Sequence, residues 1–303
     1  MAARLALADH ASTWTVSGCL PLVEERCRQL ITASCGIASD HYPEVACAAL
    51  HHLQAGGRRI RARLALDAAA HLGLDARTAI TLATTCELLH NASLIHDDLQ
   101  DQDEQRRGRQ TVWRSWGADV ALCAGDLLLS SAYAALAELD DPADLAPMMK
   151  TIHLRTAAAI HGQAADIAHR TTPVETTDAY LWIVAGKSGA LLSLPLELAL
   201  LAAGNAAACT QARAAAEAFA IGYQIADDLD DLEKDAGQDG RAPTLNLALL
   251  LQRGDVTCDA AVQRQCADLA RQHLAEAARL ANALPQGSGG LLAQLAVALD
   301  ERL

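Results

Sequence analysis

Two apolar stretches of this chain run into the same acidic signature. TLATTCELLHNASLIHDD leads into Asp97-Asp98-Leu99-Gln100-Asp101, and AAAEAFAIGYQIADD leads into Asp227-Asp228-Leu229-Asp230-Asp231. A helix carries residues i and i+4 on one face, so Asp97 falls beside Asp101 and Asp227 beside Asp231. Acidic side chains at a helix C-terminus oppose the helix dipole, and grouped carboxylates repel until a hard cation neutralises them. Oxygen-only donors of this kind suit Mg²⁺, which keeps waters and binds phosphate oxygens as well. The chain is thereby expected to be built of long buried helices whose two acidic ends face each other across a cavity.

Composition agrees with an all-α chain. Hydrophobic residues make up 51% of the 303 positions, while aromatic residues reach only 3%, with Phe219 the sole phenylalanine. Alanine and leucine, strong helix formers, dominate where strand-favouring residues would be needed. The spacing predicts helices over 18–35, 42–53, 58–71, 76–100, 117–138, 143–169, 175–203, 206–234, 243–252 and 259–283. No repeat period and no Pro/Ser linker divides them, so residues 1–303 are expected to form a single all-α domain. The net charge of -13 argues against a nucleic-acid partner, which would need a basic face. Nine scattered cysteines without C-x-x-C spacing fit reduced thiols in a cytoplasmic protein. The apolar run 190–203 is interrupted by Pro195 and Glu197 and falls short of a membrane span.

Three basic elements balance the acids. Gly56-Gly57-Arg58-Arg59-Ile60-Arg61 is a glycine turn opening a helix with three guanidiniums, whose forked geometry matches phosphate. Arg106-Arg107-Gly108-Arg109 follows the first acidic cluster by five residues, and Lys187 sits in Ala185-Gly186-Lys187-Ser188-Gly189. The last run is no P-loop, because Leu181 stands where its first glycine would be. Cations of this kind beside acidic metal ligands describe a site for diphosphates.

The order G-G-R-R-x-R, H-D-D-x-x-D, R-R-G, G-D, G-Q-x-x-D, K-S and Y-Q-x-x-D-D-x-x-D, over roughly residues 50 to 235, resembles the trans-isoprenyl diphosphate synthases. That family includes farnesyl, geranylgeranyl and polyprenyl diphosphate synthases. The resemblance implies an isoprenoid synthase-type fold, a single large helical bundle around a central cavity. It implies a Mg²⁺-dependent trans-prenyltransferase that condenses isopentenyl diphosphate head to tail with an allylic prenyl diphosphate. Three Mg²⁺ ions are expected with bound diphosphate, with Mn²⁺ as an alternative, and a homodimer is expected.

Carried over residue by residue, the resemblance makes Asp97, Asp101, Asp227 and Asp231 metal ligands, with Asp98 and Asp228 completing the catalytic acidic set beside Lys187. Arg106 matches the contact to the allylic diphosphate. Arg58, Arg61, His90 and Arg107 match positions that bind isopentenyl diphosphate. Lys187, Ser188, Gln163 and Gln224 match groups lining the allylic site. Asp166 and Gly125-Asp126 look structural, and His96 is expected to support its acidic neighbour. Departures are Arg58 for the usual Lys, Ala62 and Gln110 for prolines, and Trp113 for His. A family lysine after the second acidic cluster is missing, with Lys234 or Arg241 as its candidate substitutes.

In this family, side-chain bulk just before the first acidic cluster closes the elongation pocket. Ala92 and Ser93 are small, and Leu88 and Leu89 come one turn deeper. The expected product is a linear all-trans diphosphate of geranylgeranyl length or longer. The alternatives are a terpene cyclase of the same fold, disfavoured by the full set of isopentenyl diphosphate positions, and a non-catalytic partner subunit, disfavoured because both acidic clusters are kept.

Overall fold

The high alanine and leucine content is spent almost entirely on helices. In the computed structural model, which describes residues 14–33, 44–232, 244–252 and 260–303, the fold is all-α. Among the described residues, strand is confined to one two-residue antiparallel ladder, Gln105–Arg106 against Arg109–Gln110. Two compact units are distinguished, Met1–Asp141 and Pro142–Leu303.

In the first unit, α1 (Val16–Ala33), α2 (Glu44–Gln54) and α3 (Ile60–His71) lead to α4 (Ala76–Gln100). α4 starts where Asp75 accepts from the Thr78 amide at 2.9 Å and the Thr78 hydroxyl at 2.7 Å. Nearly every residue from Ala79 to Ala92 is buried, so α4 is apolar all round rather than on one stripe. It packs against α3, α1 and α6 (Ala118–Leu136), with Leu64, Leu82, Leu88, Ile95 and Leu128 fully enclosed. Burying one such leucine contributes about 1.5–3 kcal/mol. The short α5 (Val112–Trp116), absent from the sequence expectation, turns the chain from the ladder into α6.

In the second unit, α7 (Pro142–His169) precedes α8 (Thr177–Val184), a π-helical turn (Ala185–Gly189) and α9 (Ala190–Ala202). The expected helix 175–203 is thus a helix with one over-wide turn, and the turn contains Lys187. It fits there because Gly162, Gly186 and Gly189 let backbones meet: a Cβ on Gly186 would stand 3.1 Å from the Ala158 carbonyl, and one on Gly189 2.9 Å from Glu217 Cα. Next come α10 (Cys209–Asp230), α11 (Leu247–Gln252), α12 (Ala260–Asn282) and α13 (Gly290–Asp300), of which α13 was not foreseen. α10 packs on α12 and α9. Gly222 allows the α12 approach, because a Cβ there would fall 2.6 Å from Leu274 Cγ. Tyr180, Ile183, Ile225 and Leu247 enclose the core around the second acidic cluster.

Two helical stretches, Ala118–Leu136 and Thr177–Ala202, are apolar and long enough to cross a bilayer, the second because the π turn joins α8 to α9. That second stretch is mostly buried within its unit, as a core helix is.

Candidate active site

The first acidic cluster is built by the end of α4. The Asp101 amide donates back to the Asp97 carbonyl at 2.8 Å and the Asp103 amide to the Asp98 carbonyl at 2.9 Å, which close the last turn. Asp97 and Asp101 are half-buried at its rim. Asp98 points inward and is 1% exposed. The chain then reverses through Arg107 and Gly108, both at positive φ (53° and 75°), as a two-residue hairpin requires. The reversal delivers Arg106, whose guanidinium donates to Asp98 Oδ1 at 2.6 Å. Burial raises the Asp98 pKa, and Arg106 opposes that rise.

The hairpin is fastened on both sides. Trp113 Nε1 and the Thr111 hydroxyl donate to the Asp103 carbonyl at 2.8 and 2.7 Å. His51 on α2 meets the Gln110 carbonyl at 2.9 Å and lies edge-on to Trp116. Arg107 donates to the Gly56 carbonyl, and its guanidinium fills the space a Cβ on Gly57 would need. Gly57 has φ of 125°, so glycine is required there twice over.

Arg58, Arg59 and Arg61 look alike in sequence but separate in space. Arg58 is exposed. Arg59 takes a left-handed conformation (φ 49°) and turns back. It donates to Glu24 at 2.9 Å, to Glu87 at 3.0 Å and to the Leu53 carbonyl at 2.7 Å, tying α1, α2 and α4 together. A pocket of about 450 Å³ opens beside this clasp, between Glu24, Cys27, Leu53 and Glu87. Arg61 meets His90 Nε2 at 3.0 Å. Burial lowers the Arg61 pKa to about 10, against the pull of Glu87. Burial, then Arg61 and Arg107, push the His90 pKa far down, so its ring is neutral and one nitrogen is free to accept. Arg61, His90, Arg106 and Arg107 are thus brought together in the first unit. Sequence reasoning missed His52, a buried neighbour of this group (4% exposed), and Glu87 with Asn91, which brace it from α4. The only available signal for His52 was a polar pair, His51-His52, inside an otherwise apolar helix.

His96, on α4, packs against α6, its ring occupying the position of a Gly125 side chain, with Asp126 3.7 Å away. Leu88, Leu89 and Ala92 are buried in the first unit, while Ser93 is half-buried and returns its hydroxyl to the His90 carbonyl at 2.8 Å.

The second cluster repeats the arrangement of the first. Asp227 is exposed, Asp231 is half-buried at the helix end, and Asp228 is 2% exposed and points inward. Its carboxylate accepts from the Tyr180 hydroxyl at 2.6 Å, the Leu247 amide at 2.8 Å and Gln224 Nε2 at 2.9 Å. Asn246 donates to its carbonyl at 2.8 Å. Asp228 therefore anchors the 244–252 segment, and Gln224 turns its amide toward it. Lys187 donates to Asp166 on α7, beside buried Gln163, and Ser188 is half-buried in the same π turn. Lys234 and Arg241 lie outside the described residues.

Among the described residues, no three His, Cys, Asp or Glu side chains converge on one point. Each cluster instead offers an outward carboxylate pair, Asp97 with Asp101 and Asp227 with Asp231. Such a pair fits Mg²⁺, which is held by one or two carboxylates and completed by water and substrate phosphate.

Residues 43–244 match the family model described as polyprenyl synthetase. A (2E,6E)-farnesyl diphosphate synthase of Mycobacterium tuberculosis is 39% identical over 174 residues, 57% of this chain and 48% of the relative. A geranylgeranyl diphosphate synthase of the same organism is 34% identical over 193 residues, 63% of this chain and 55% of the relative. The alignments thus span about half the length of these relatives. The solved geranylgeranyl pyrophosphate synthetase of Pyrococcus horikoshii superimposes with a TM-score of 0.81 at 26% identity, covering 95% of this chain and 97% of that one.

Proposed function

This chain belongs to the polyprenyl synthetase family, and from that premise we propose that it is a prenyl diphosphate synthase. It adds isopentenyl diphosphate head to tail to an allylic diphosphate and releases a linear all-trans product. One observation carries the reading. Within eleven residues the end of α4 offers two outward carboxylates, and the hairpin behind it offers two guanidiniums, one locked to Asp98 and one beside Arg61 and the neutral His90. A cyclase has no use for that second cationic group.

In this reading Arg58, Arg61, His90 and Arg107 hold isopentenyl diphosphate, while Arg106, Lys187, Gln163, Ser188 and Gln224 serve the allylic partner. Asp97 and Asp101, and Asp227 with Asp231, hold Mg²⁺. Bound there, the ions supply neutralisation of the charge that develops on the departing diphosphate. Lys187 is kept in place by Asp166, and Arg106 by Asp98; a cation so held stabilises charge on a departing diphosphate as the allylic C–O bond breaks. The alkene of isopentenyl diphosphate bonds to the allylic carbon, which leaves a tertiary cation, and a proton then passes from the carbon beside that cation to an oxygen of the released diphosphate. The guanidiniums fix the alkene in reach, which converts a bimolecular encounter into a local one. Asp98 and Asp228 act by positioning.

The small Ala92 and Ser93, one turn before Asp97, support a product of twenty carbons or more. The working form is a cytoplasmic homodimer acting as one catalytic domain per chain. The test is an incubation of purified protein with Mg²⁺, isopentenyl diphosphate and dimethylallyl, geranyl or farnesyl diphosphate, with products read by mass spectrometry. A linear prenol series, lost in Asp97→Ala, is expected. Cyclic hydrocarbons made without isopentenyl diphosphate would overturn the function, and farnesyl diphosphate as the end product would overturn the chain length.

A further inference from the structure

His52 has no part in the reading above, yet it is buried close to the cationic group. It sits on α2 directly after His51, which holds the second strand of the hairpin through the Gln110 carbonyl. Its ring is 4% exposed and lies within electrostatic reach of Arg106 and Arg107 from the hairpin, Arg59 from the loop before α3 and His90 from α4, beside Asn91. Its Nε2 is buried and meets no hydrogen-bond partner. Arginines are donors only, and a neutral imidazole carries one acceptor. Burial, then Arg106 and Arg107, disfavour the imidazolium, so the acceptor persists. Arg107 meanwhile commits part of its fork to the Gly56 carbonyl.

We propose that His52 is the positioning residue of Arg107: its Nε2 accepts an Arg107 N–H when the fork engages a diphosphate, which keeps the other N–H groups aimed at phosphate oxygens. The inference rests on the functional reading in that the diphosphate is that of isopentenyl diphosphate. It adds a residue that neither the acidic nor the arginine motifs contain.

The experiment compares wild type, His52→Phe and His52→Gln. Phenylalanine fills the ring's volume without the acceptor, and the glutamine amide carries an acceptor to about the place of Nε2. At saturating allylic diphosphate, His52→Phe should raise KM for isopentenyl diphosphate about tenfold, the worth of about one hydrogen bond to a charged group. Its kcat and allylic KM should hold, and His52→Gln should recover most of the loss. An unchanged KM, or a fall in kcat alone, overturns the proposal. A variant that does not fold is bypassed in wild type labelled with ¹⁵N at histidine. Titration with inorganic diphosphate should then shift the His52 Nε2 resonance, and a static resonance overturns the proposal. Should wild type make no prenyl product, the functional reading fails by itself. Calorimetric titration with inorganic diphosphate then still decides His52: weaker binding by His52→Phe upholds it and equal binding overturns it.

Discussion

The Tyr180 hydroxyl donates to Asp228 Oδ2 at 2.6 Å from a fully buried ring, and so ties α8 to the second acidic cluster. Burial and the neighbouring carboxylate push the Tyr180 pKa up, which keeps the phenol a donor throughout the working pH range. Tyr180→Phe removes one of three donors to a buried charge and should cost about 1–3 kcal/mol of stability. Asp227→Asn alters an exposed neighbour one position away and should leave the unfolding midpoint unchanged. On the proposed function it loses about 3 kcal/mol of transition-state stabilisation, about a hundredfold in kcat. Urea unfolding and steady-state rates on both variants check the split. Loss of stability in Asp227→Asn without loss of rate would reverse the two roles.

Asp98 and Arg106 make the corresponding lock in the first unit. Breaking a buried pair from one side leaves the other charge without its partner, so Arg106→Met should cost about 3–5 kcal/mol. The double variant with Asp98→Asn should recover most of that. The raised Asp98 pKa gives a sign to check. Its folded form binds a proton more readily than its unfolded form, so acidification relieves the stranded carboxylate. The Arg106→Met defect should therefore shrink as pH falls through the Asp98 pKa. A defect that grows on acidification would exclude this account.

How much of this could be read from the chain alone varies with the range of the interaction. The pairing of Asp97 with Asp101, and of Asp227 with Asp231, follows from helix geometry alone, and α4 was expected at the bounds it has. The inward turn of Asp98 and Asp228 was not legible, because it depends on Arg106 across a hairpin and on Tyr180 and Leu247 from distant segments. Arg59 was left without a role in the set carried over from the resemblance, because its left-handed conformation, which turns it toward Glu24 and Glu87, is not legible in sequence. The π turn around Lys187 escaped notice for a similar reason. It depends on a glycine of another helix, Gly162, as well as on Gly186 and Gly189 within the turn.

His52 gives stability a pH dependence. Its pKa falls from the ordinary 6.5 to about 3, with burial the main cause and Arg106 and Arg107 next. Between those values the unfolded chain holds a proton that the folded one refuses. Stability should therefore rise from about pH 3 to about pH 6.5, by up to about 1.4 kcal/mol per pH unit from this residue. Equilibrium unfolding at pH 5, 6 and 7 should show a flatter slope for His52→Phe than for wild type. Parallel slopes would mean that His52 is protonated in the native protein.

Gly162 tests the packing that shapes the Lys187 turn. It lies within α7, where alanine would ordinarily gain up to about 1 kcal/mol over glycine. A Cβ here would strike the Lys187 backbone, which no side-chain rotation can relieve. Gly162→Ala should therefore destabilise by about 1–3 kcal/mol, the usual cost of overpacking. It should also move Lys187 from Asp166 and raise KM for the allylic diphosphate while leaving that for isopentenyl diphosphate unchanged. Gly290→Ala is the control: it opens α13, meets nothing within 4 Å, and should melt at or above the wild-type temperature. If both alanine variants melt alike, the close approach of α7 to the π turn does not hold Lys187 in place. If only Gly162→Ala falls, and its allylic KM rises with it, the glycine contact positions the lysine.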